Sequence, residues 1–141
     1  MKNILIDTDV ILDFFFDRKP YSNNAAIILS YCELNKLNGF ITPVMCSNVY
    51  YILRRTSKHK KIIERLNQLL TFIDVLQMDK EIIVEALNSK FKDFEDALQN
   101  FAAVKSGNID AIITRNIKDF ANSEIGVLTP DSFLKSINAS R

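Results

Sequence analysis

A short apolar run that stops abruptly at carboxylates constrains this chain most. Ile4-Leu5-Ile6 is followed at once by Asp7-Thr8-Asp9, with Asp13 one helical turn further on. Such a run reads as a buried strand that delivers acid groups to the edge of a sheet. In open α/β sheets that edge is where ligands bind. Buried charge is costly unless something compensates it, so acid at this point indicates a metal, a bound cation or a phosphate-handling site.

The rest of the chain alternates in the same manner. The first strand is expected over 2–7 and a helix over 9–16, which ends before the Asp17-Arg18-Lys19-Pro20 break. Ala25, Ile28, Leu29 and Cys32 recur at helical spacing and predict a helix from about 23 to 37. Asn38-Gly39 reads as a turn, and residues 40–42 as a second strand. Thr42-Pro43 is a helix start, with Thr as N-cap and Pro at the first helical position. Met45, Val49, Ile52 and Leu53 then form an inward stripe. A helix from about Lys58 turns Ile62, Leu66, Leu69, Leu70 and Ile73 inward, followed by a short strand over 74–77. Helices are expected over 80–88 and 95–105, the second stopped by Gly107. Strands follow over 109–114 and 126–128, and Thr129-Pro130 repeats the helix start. Strands alternating with helices predict an α/β fold, a short parallel sheet of four or five strands with helices on both faces.

A length of 141 residues favours one domain over 1–141. The net charge of +1 gives no global field for nucleic acid, so any such signal must be local. Cys32 and Cys46 lack metal-type spacing and read as reduced core thiols. No run approaches the ~18 apolar residues of a membrane span, and the opening apolar run is too short for the core of an export signal. The expected compartment is the cytoplasm.

Three separated segments place carboxylates where strands end or helices begin. Asp7 and Asp9 follow the first strand, Asp93, Glu95 and Asp96 open the helix before Gly107, and Asp119 follows the strand ending at Thr114. In a parallel sheet these ends face one way, so the groups can converge. Hard oxygen donors suit Mg²⁺ or Mn²⁺. The simpler reading of Asp93 and Glu95 is capping and compensation of the helix dipole, and that of Asp13 and Asp17 is a surface or capping role. The only histidine, His59, lies in a basic stretch, and no alternative nucleophilic triad is present.

The segments Ile4-Leu5-Ile6-Asp7-Thr8-Asp9-Val10, Asp93-Phe94-Glu95-Asp96-Ala97-Leu98 and Ile112-Ile113-Thr114-Arg115-Asn116-Ile117-Lys118-Asp119-Phe120 together resemble the PIN-domain family, in order and spacing, over essentially the whole chain. The resemblance implies a three-layer PIN-like fold. It implies a Mg²⁺- or Mn²⁺-dependent endoribonuclease that cleaves RNA phosphodiesters with a metal-activated water. It further implies the toxin of a toxin–antitoxin pair, a homodimer held inactive by an antitoxin protein. By the same resemblance Asp7, Asp96 and Asp119 are the catalytic, metal-binding carboxylates, with Thr8, Asp9, Thr114 and Asn116 beside them. Asp7-x-Asp9 also resembles the nucleophile strand of haloacid dehalogenase-type phosphatases, but the later lysine and paired acids of that family have no strand left to sit on.

One position departs from the family. Its members usually carry a glutamate in the helix after the second strand, where this chain has Asn48. Asn retains a carbonyl oxygen for a metal or water but removes one negative charge and cannot act as a base. Glu95 is the candidate to restore that charge, although neighbours on a helix point about 100° apart. The alternative reading is therefore a catalytically attenuated PIN-like domain that binds RNA or protein.

A local basic patch follows. Arg54, Arg55, Lys58, Lys60, Lys61 and Arg65 face Glu64 alone, a composition that attracts phosphate backbones without reading sequence. Tyr50 and Tyr51 are placed for base stacking or for packing. Phe14-Phe15-Phe16 cannot all face one core, which suggests a subunit or antitoxin contact.

Overall fold

The first apolar run is strand β1 (Asn3–Ile6), and it lies at the centre of a five-stranded sheet. The structure is a computed structural model and describes residues 1–139. Ile4, Leu5 and Ile6 are all 0% exposed, which requires helices on both faces of the sheet. After β1 come α1 (Thr8–Phe15), α2 (Ser22–Glu33), β2 (Asn38–Ile41), α3 (Pro43–Leu53), α4 (His59–Leu69), β3 (Ile73–Val75) and α5 (Lys80–Leu87). Then follow α6 (Phe94–Ser106), β4 (Ala111–Ile113), a 3-10 turn (Ile117–Phe120), β5 (Gly126–Leu128) and α7 (Pro130–Ala139). The strand order is β3-β2-β1-β4-β5 and every pairing is parallel. The result is the expected three-layer α/β architecture. Among the described residues no helix is long and apolar enough to cross a membrane.

This order has one consequence for function. The chain winds from β1 outward through β2 to β3, then returns to the other side of β1 with β4 and β5. The reversal lies between β1 and β4, the switch point at which open α/β sheets form their crevice. Register places Ile6 beside Ile113, so Asp7 and Thr114 leave the sheet side by side. The Asp7 N–H continues the pairing by donating to the Ile113 carbonyl at 2.9 Å.

Both Thr-Pro helix starts form as read. Thr42 Oγ1 accepts from Met45 N with Pro43 in the first turn of α3, and Thr129 Oγ1 accepts from Ser132 N at the start of α7. Gly107 ends α6 with φ 79°, the left-handed cap that glycine adopts without steric cost. Cys32 is buried and Cys46 partly so, both as free thiols; burial pushes the Cys32 thiol up to about 12.

Four local expectations are corrected. Asn38-Gly39 is not a turn but the start of β2, paired with β1 and β3. A Cβ on Gly39 would lie 2.5 Å from Ile73 Cδ1 and 2.7 Å from Cys32 Sγ, so glycine is there for close packing. Ile73 is the first residue of β3 rather than the end of a helical stripe, and Leu70 is exposed where α4 ends. Asp13 is not a surface residue: it is 1% exposed and ion-paired. Asp17 is exposed, as expected.

Candidate active site

Asp7 is the N-cap of α1, so one residue both ends β1 and starts the helix. Its Oδ1 accepts from Thr8 N at 2.8 Å, and its Oδ2 accepts from the Thr114 hydroxyl at 2.8 Å. In the first turn of α1, Asp9 Oδ2 accepts from Arg115 N at 3.0 Å and from Asn116 Nδ2 at 3.2 Å, with Thr114 Oγ1 at 3.4 Å. The turn after β4 is thus tied to the start of α1 through Thr114, Arg115 and Asn116, all three anchored on Asp7 or Asp9.

The second acidic segment enters from α6. Asp93 is its N-cap and accepts from Asp96 N at 3.0 Å, which fulfils the capping role read from the sequence. Glu95 and Asp96 both line the same cleft of about 590 Å³ as Asp7, Thr8, Asp9, Asn48 and Asn116. The angular objection to Glu95 fails because a second element holds it: Asn48 Nδ2 on α3 donates to Glu95 Oε2 at 2.9 Å. Asp119 sits in the 3-10 turn; it is exposed and does not line the cleft, yet its charge acts on both Asp7 and Asp96.

These carboxylates perturb one another. Burial pushes the Asp7 carboxyl up to about 6, reinforced by the charges of Asp9 and Asp119 against the hydrogen bonds from Thr114 and Thr8. Asp96 is pushed up to about 7, first by burial and then by the charges of Asp93, Asp7, Asp119 and Glu95. Asp9 is also raised, chiefly by burial. The cleft gathers more negative charge than its own residues neutralise, the condition a bound cation relieves.

Hard oxygen donors are what Mg²⁺ and Mn²⁺ prefer. Asp9 Oδ1 is buried and has no hydrogen-bond partner among the described residues. Among the described residues, no three Asp, Glu, His or Cys side chains are gathered closely enough to hold a metal ion as they stand. Asp7 is clamped on both oxygens, whereas the Asp96 and Asp119 carboxylates accept no hydrogen bond within the described residues. Those two would be the carboxylates free to draw in around a cation. The donor set fits a divalent ion in its chemistry, with Asp7 as the fixed member.

Of the basic patch read from the sequence, Arg55 alone among the described residues reaches the cleft wall; Arg54, Lys58, Lys60 and Lys61 lie on the exposed surface that leads from α3 into α4. Arg65 turns away, its guanidinium 5.9 Å from the Phe15 ring centroid, beside a separate hollow lined by Phe14, Phe15, Leu29 and Phe72. Tyr51 is 67% exposed on the cleft wall, while Tyr50 contacts His59 Nδ1 through its hydroxyl at 2.8 Å. Sequence reading missed Arg18 and Gln99, which also line the cleft. Gln99 is buried, its Oε1 accepting from the Thr42 hydroxyl, and its position one turn after Asp96 was the available signal.

The chain matches the family model described as PIN domain over residues 3–118. It is 26% identical over 142 residues to Ribonuclease VapC1 of Aquifex aeolicus (strain VF5), covering 97% of this chain and 96% of that protein. Among solved structures it is similar to VapBC2 from Rickettsia felis bound to a DNA fragment from their promoter, with a TM-score of 0.64 at 13% identity over 89% of this chain and 96% of that one. It is also similar to Mycobacterium tuberculosis VapC20, a sarcin–ricin loop cleaving toxin, with a TM-score of 0.59 at 14% identity over 77% of this chain and 86% of that one.

Proposed function

The chain belongs to the PIN-domain family, and on that premise we propose that it is a Mg²⁺- or Mn²⁺-dependent endoribonuclease, the toxin of a toxin–antitoxin pair. The observation that carries this reading is the convergence of Asp7 and Asp96 on one cleft with both carboxyls raised by burial and by each other's charge. Asp7, Asp96 and Asp119 would hold the ion. A divalent cation there supplies Lewis acidity toward a phosphate oxygen and a more acidic water.

The remaining work belongs to the chain's own side chains. Thr114 fixes the Asp7 carboxylate, and Asp9 holds the 114–116 turn against α1. Glu95, oriented by Asn48, brings to the cleft the charge that Asn48 lacks. Arg55 on the wall, with Arg54, Lys58, Lys60 and Lys61 beyond it, guides the RNA backbone. The similarity to a protein named a ribonuclease supports the activity, and the similarity to VapC20 supports the toxin role.

The VapBC2 likeness supports an antitoxin partner. The hollow of about 300 Å³ beside Phe14 and Phe15 offers it an apolar seat. The exposed Ile83, Val84 and Leu87 on α5 support a homodimer. The working compartment is the cytoplasm.

The purified chain is expected to cleave RNA only with Mg²⁺ or Mn²⁺ present, and Asp7→Asn to lower kcat/KM by at least about 100-fold; unchanged cleavage by that variant would overturn the reading. The second reading, an attenuated domain that binds RNA or protein, is favoured by the neutral Asn48 at the cleft wall. Asn48→Glu separates the two: a large gain in cleavage marks the natural site as attenuated.

A further inference from the structure

We propose that Arg18 is a phosphate-binding residue of this cleft, positioned by the buried carboxylate of Asp13 so as to receive the RNA backbone beside the acidic cluster. The proposal rests on the nuclease reading above. Asp13 does not line the cleft, though its charge acts on Asp9; it is 1% exposed and lies beneath two guanidinium groups. Arg115 takes it as a fork, Nε to Oδ2 at 2.7 Å and Nη2 to Oδ1 at 3.1 Å. The Arg115 guanidinium also lies 4.1 Å from the Tyr21 ring centroid, and its backbone N–H is bound to Asp9. Arg115 is therefore committed to holding the structure together.

Arg18 is not. Its one ion pair among the described residues is a long contact from Nη1 to Asp13 Oδ1 at 3.5 Å, its side chain is 41% exposed, and it lines the same cleft as Asp7, Asp9 and Asp96. One carboxylate shared by two cations leaves a positive surplus at the cleft wall, with most Arg18 donors unused. The backbone presents this residue deliberately. Asp17 turns the chain at φ 50°, in the left-handed region that Asp adopts more readily than most residues other than glycine. Arg18 N then donates to the Asp13 carbonyl at 3.0 Å, and the Arg18 carbonyl accepts from Ser22 N at 2.7 Å. The Phe16 ring lies 5.1 Å from the guanidinium carbon.

A phosphodiester entering a cleft of carboxylates is repelled unless a fixed cation meets it. The planar guanidinium matches phosphate oxygens in geometry as well as charge. Arg55 is the other cation on this wall and stands on a different element, so the two can grip one strand at separate points.

The test is fluorescence anisotropy with a fluorescein-labelled, mixed-sequence single-stranded RNA, with Ca²⁺ in place of Mg²⁺, across a KCl series. Arg18→Gln is expected to weaken binding about tenfold and to lower the slope of log affinity against log salt by about 0.7. Arg18→Lys keeps the charge and so keeps the slope, with part of the affinity lost. Lys135→Gln, which removes a lysine paired with Asp131 on α7, serves as the control and changes neither. Wild-type affinity and slope in Arg18→Gln, from a chain that does bind and cleave RNA, overturns the role of Arg18 alone. Weaker binding at an unchanged slope assigns Arg18 to shaping the rim and also overturns it. Absence of both RNA binding and metal-dependent cleavage in the wild type overturns this proposal together with the nuclease reading.

Discussion

The Thr114 hydroxyl has one proton and three polar neighbours: Asp7 Oδ2 at 2.8 Å, Asp9 Oδ2 at 3.4 Å and the Asn116 N–H at 3.0 Å. The shortest acceptor takes the proton, so the hydroxyl donates to Asp7 and accepts from Asn116. Thr114→Val keeps the β-branched shape but leaves Asp7 Oδ2 without a protein donor. Mn²⁺ affinity measured by isothermal titration calorimetry is expected to fall about 10- to 100-fold, the usual loss when the partner of a metal ligand is removed. Asp7 itself was legible because an apolar run cannot end in acid without a reason. Asp13 was not, because nothing near it in sequence announces a partner; its fork with Arg115 spans 102 residues. Arg18 escaped for the same cause, its placement depending on Asp13 and on the turn at Asp17.

Elements were legible where the chemistry of a start or stop is local. Thr42-Pro43 and Thr129-Pro130 each announce a cap and a first turn, and each forms one. Asn38-Gly39 carries the composition of a turn yet opens β2, because tertiary packing overrides local preference there. Helix α2 presents Cys32 and β3 presents Ile73 so close to Gly39 that no side chain fits. Gly39→Ala is therefore expected to destabilise the fold by about 1–3 kcal/mol, as overpacking of a filled core does, measured by urea denaturation. The 3-10 turn over Ile117–Phe120 escaped notice because four residues are too few to show a period. That turn carries Asp119, so the least legible element holds one of the three acids proposed to hold the ion.

At the scale of the molecule, the strand order brings the acidic ends together, and the metal-free protein bears the strain of that convergence. Asp7 and Asp96 hold their protons more tightly when folded than in the unfolded chain, where a carboxyl sits near 3.8. Between about pH 4 and pH 7 the folded state then binds more protons than the unfolded state. These groups therefore make the metal-free protein less stable as pH rises through that window. Thermal melts in EDTA are expected to show a higher Tm at the acid end of the window than at pH 8, before general acid unfolding sets in. Saturating Mn²⁺ is expected to flatten or reverse that trend, because a bound cation favours the ionised carboxylates. The convergence itself was legible from strands whose ends face one way, and Arg55 from its basic patch, but Arg18 on the cleft wall was not, because the turn that follows α1 places it there. The central pairing of β1 with β4 also sets when the site can exist. Thr114 lies 107 residues after Asp7, so a chain still emerging from the ribosome has its first carboxylate long before it has the hydroxyl that clamps it, or Asp119. With this topology the cleft cannot be completed until the segment that carries Thr114 and Asp119 has been made.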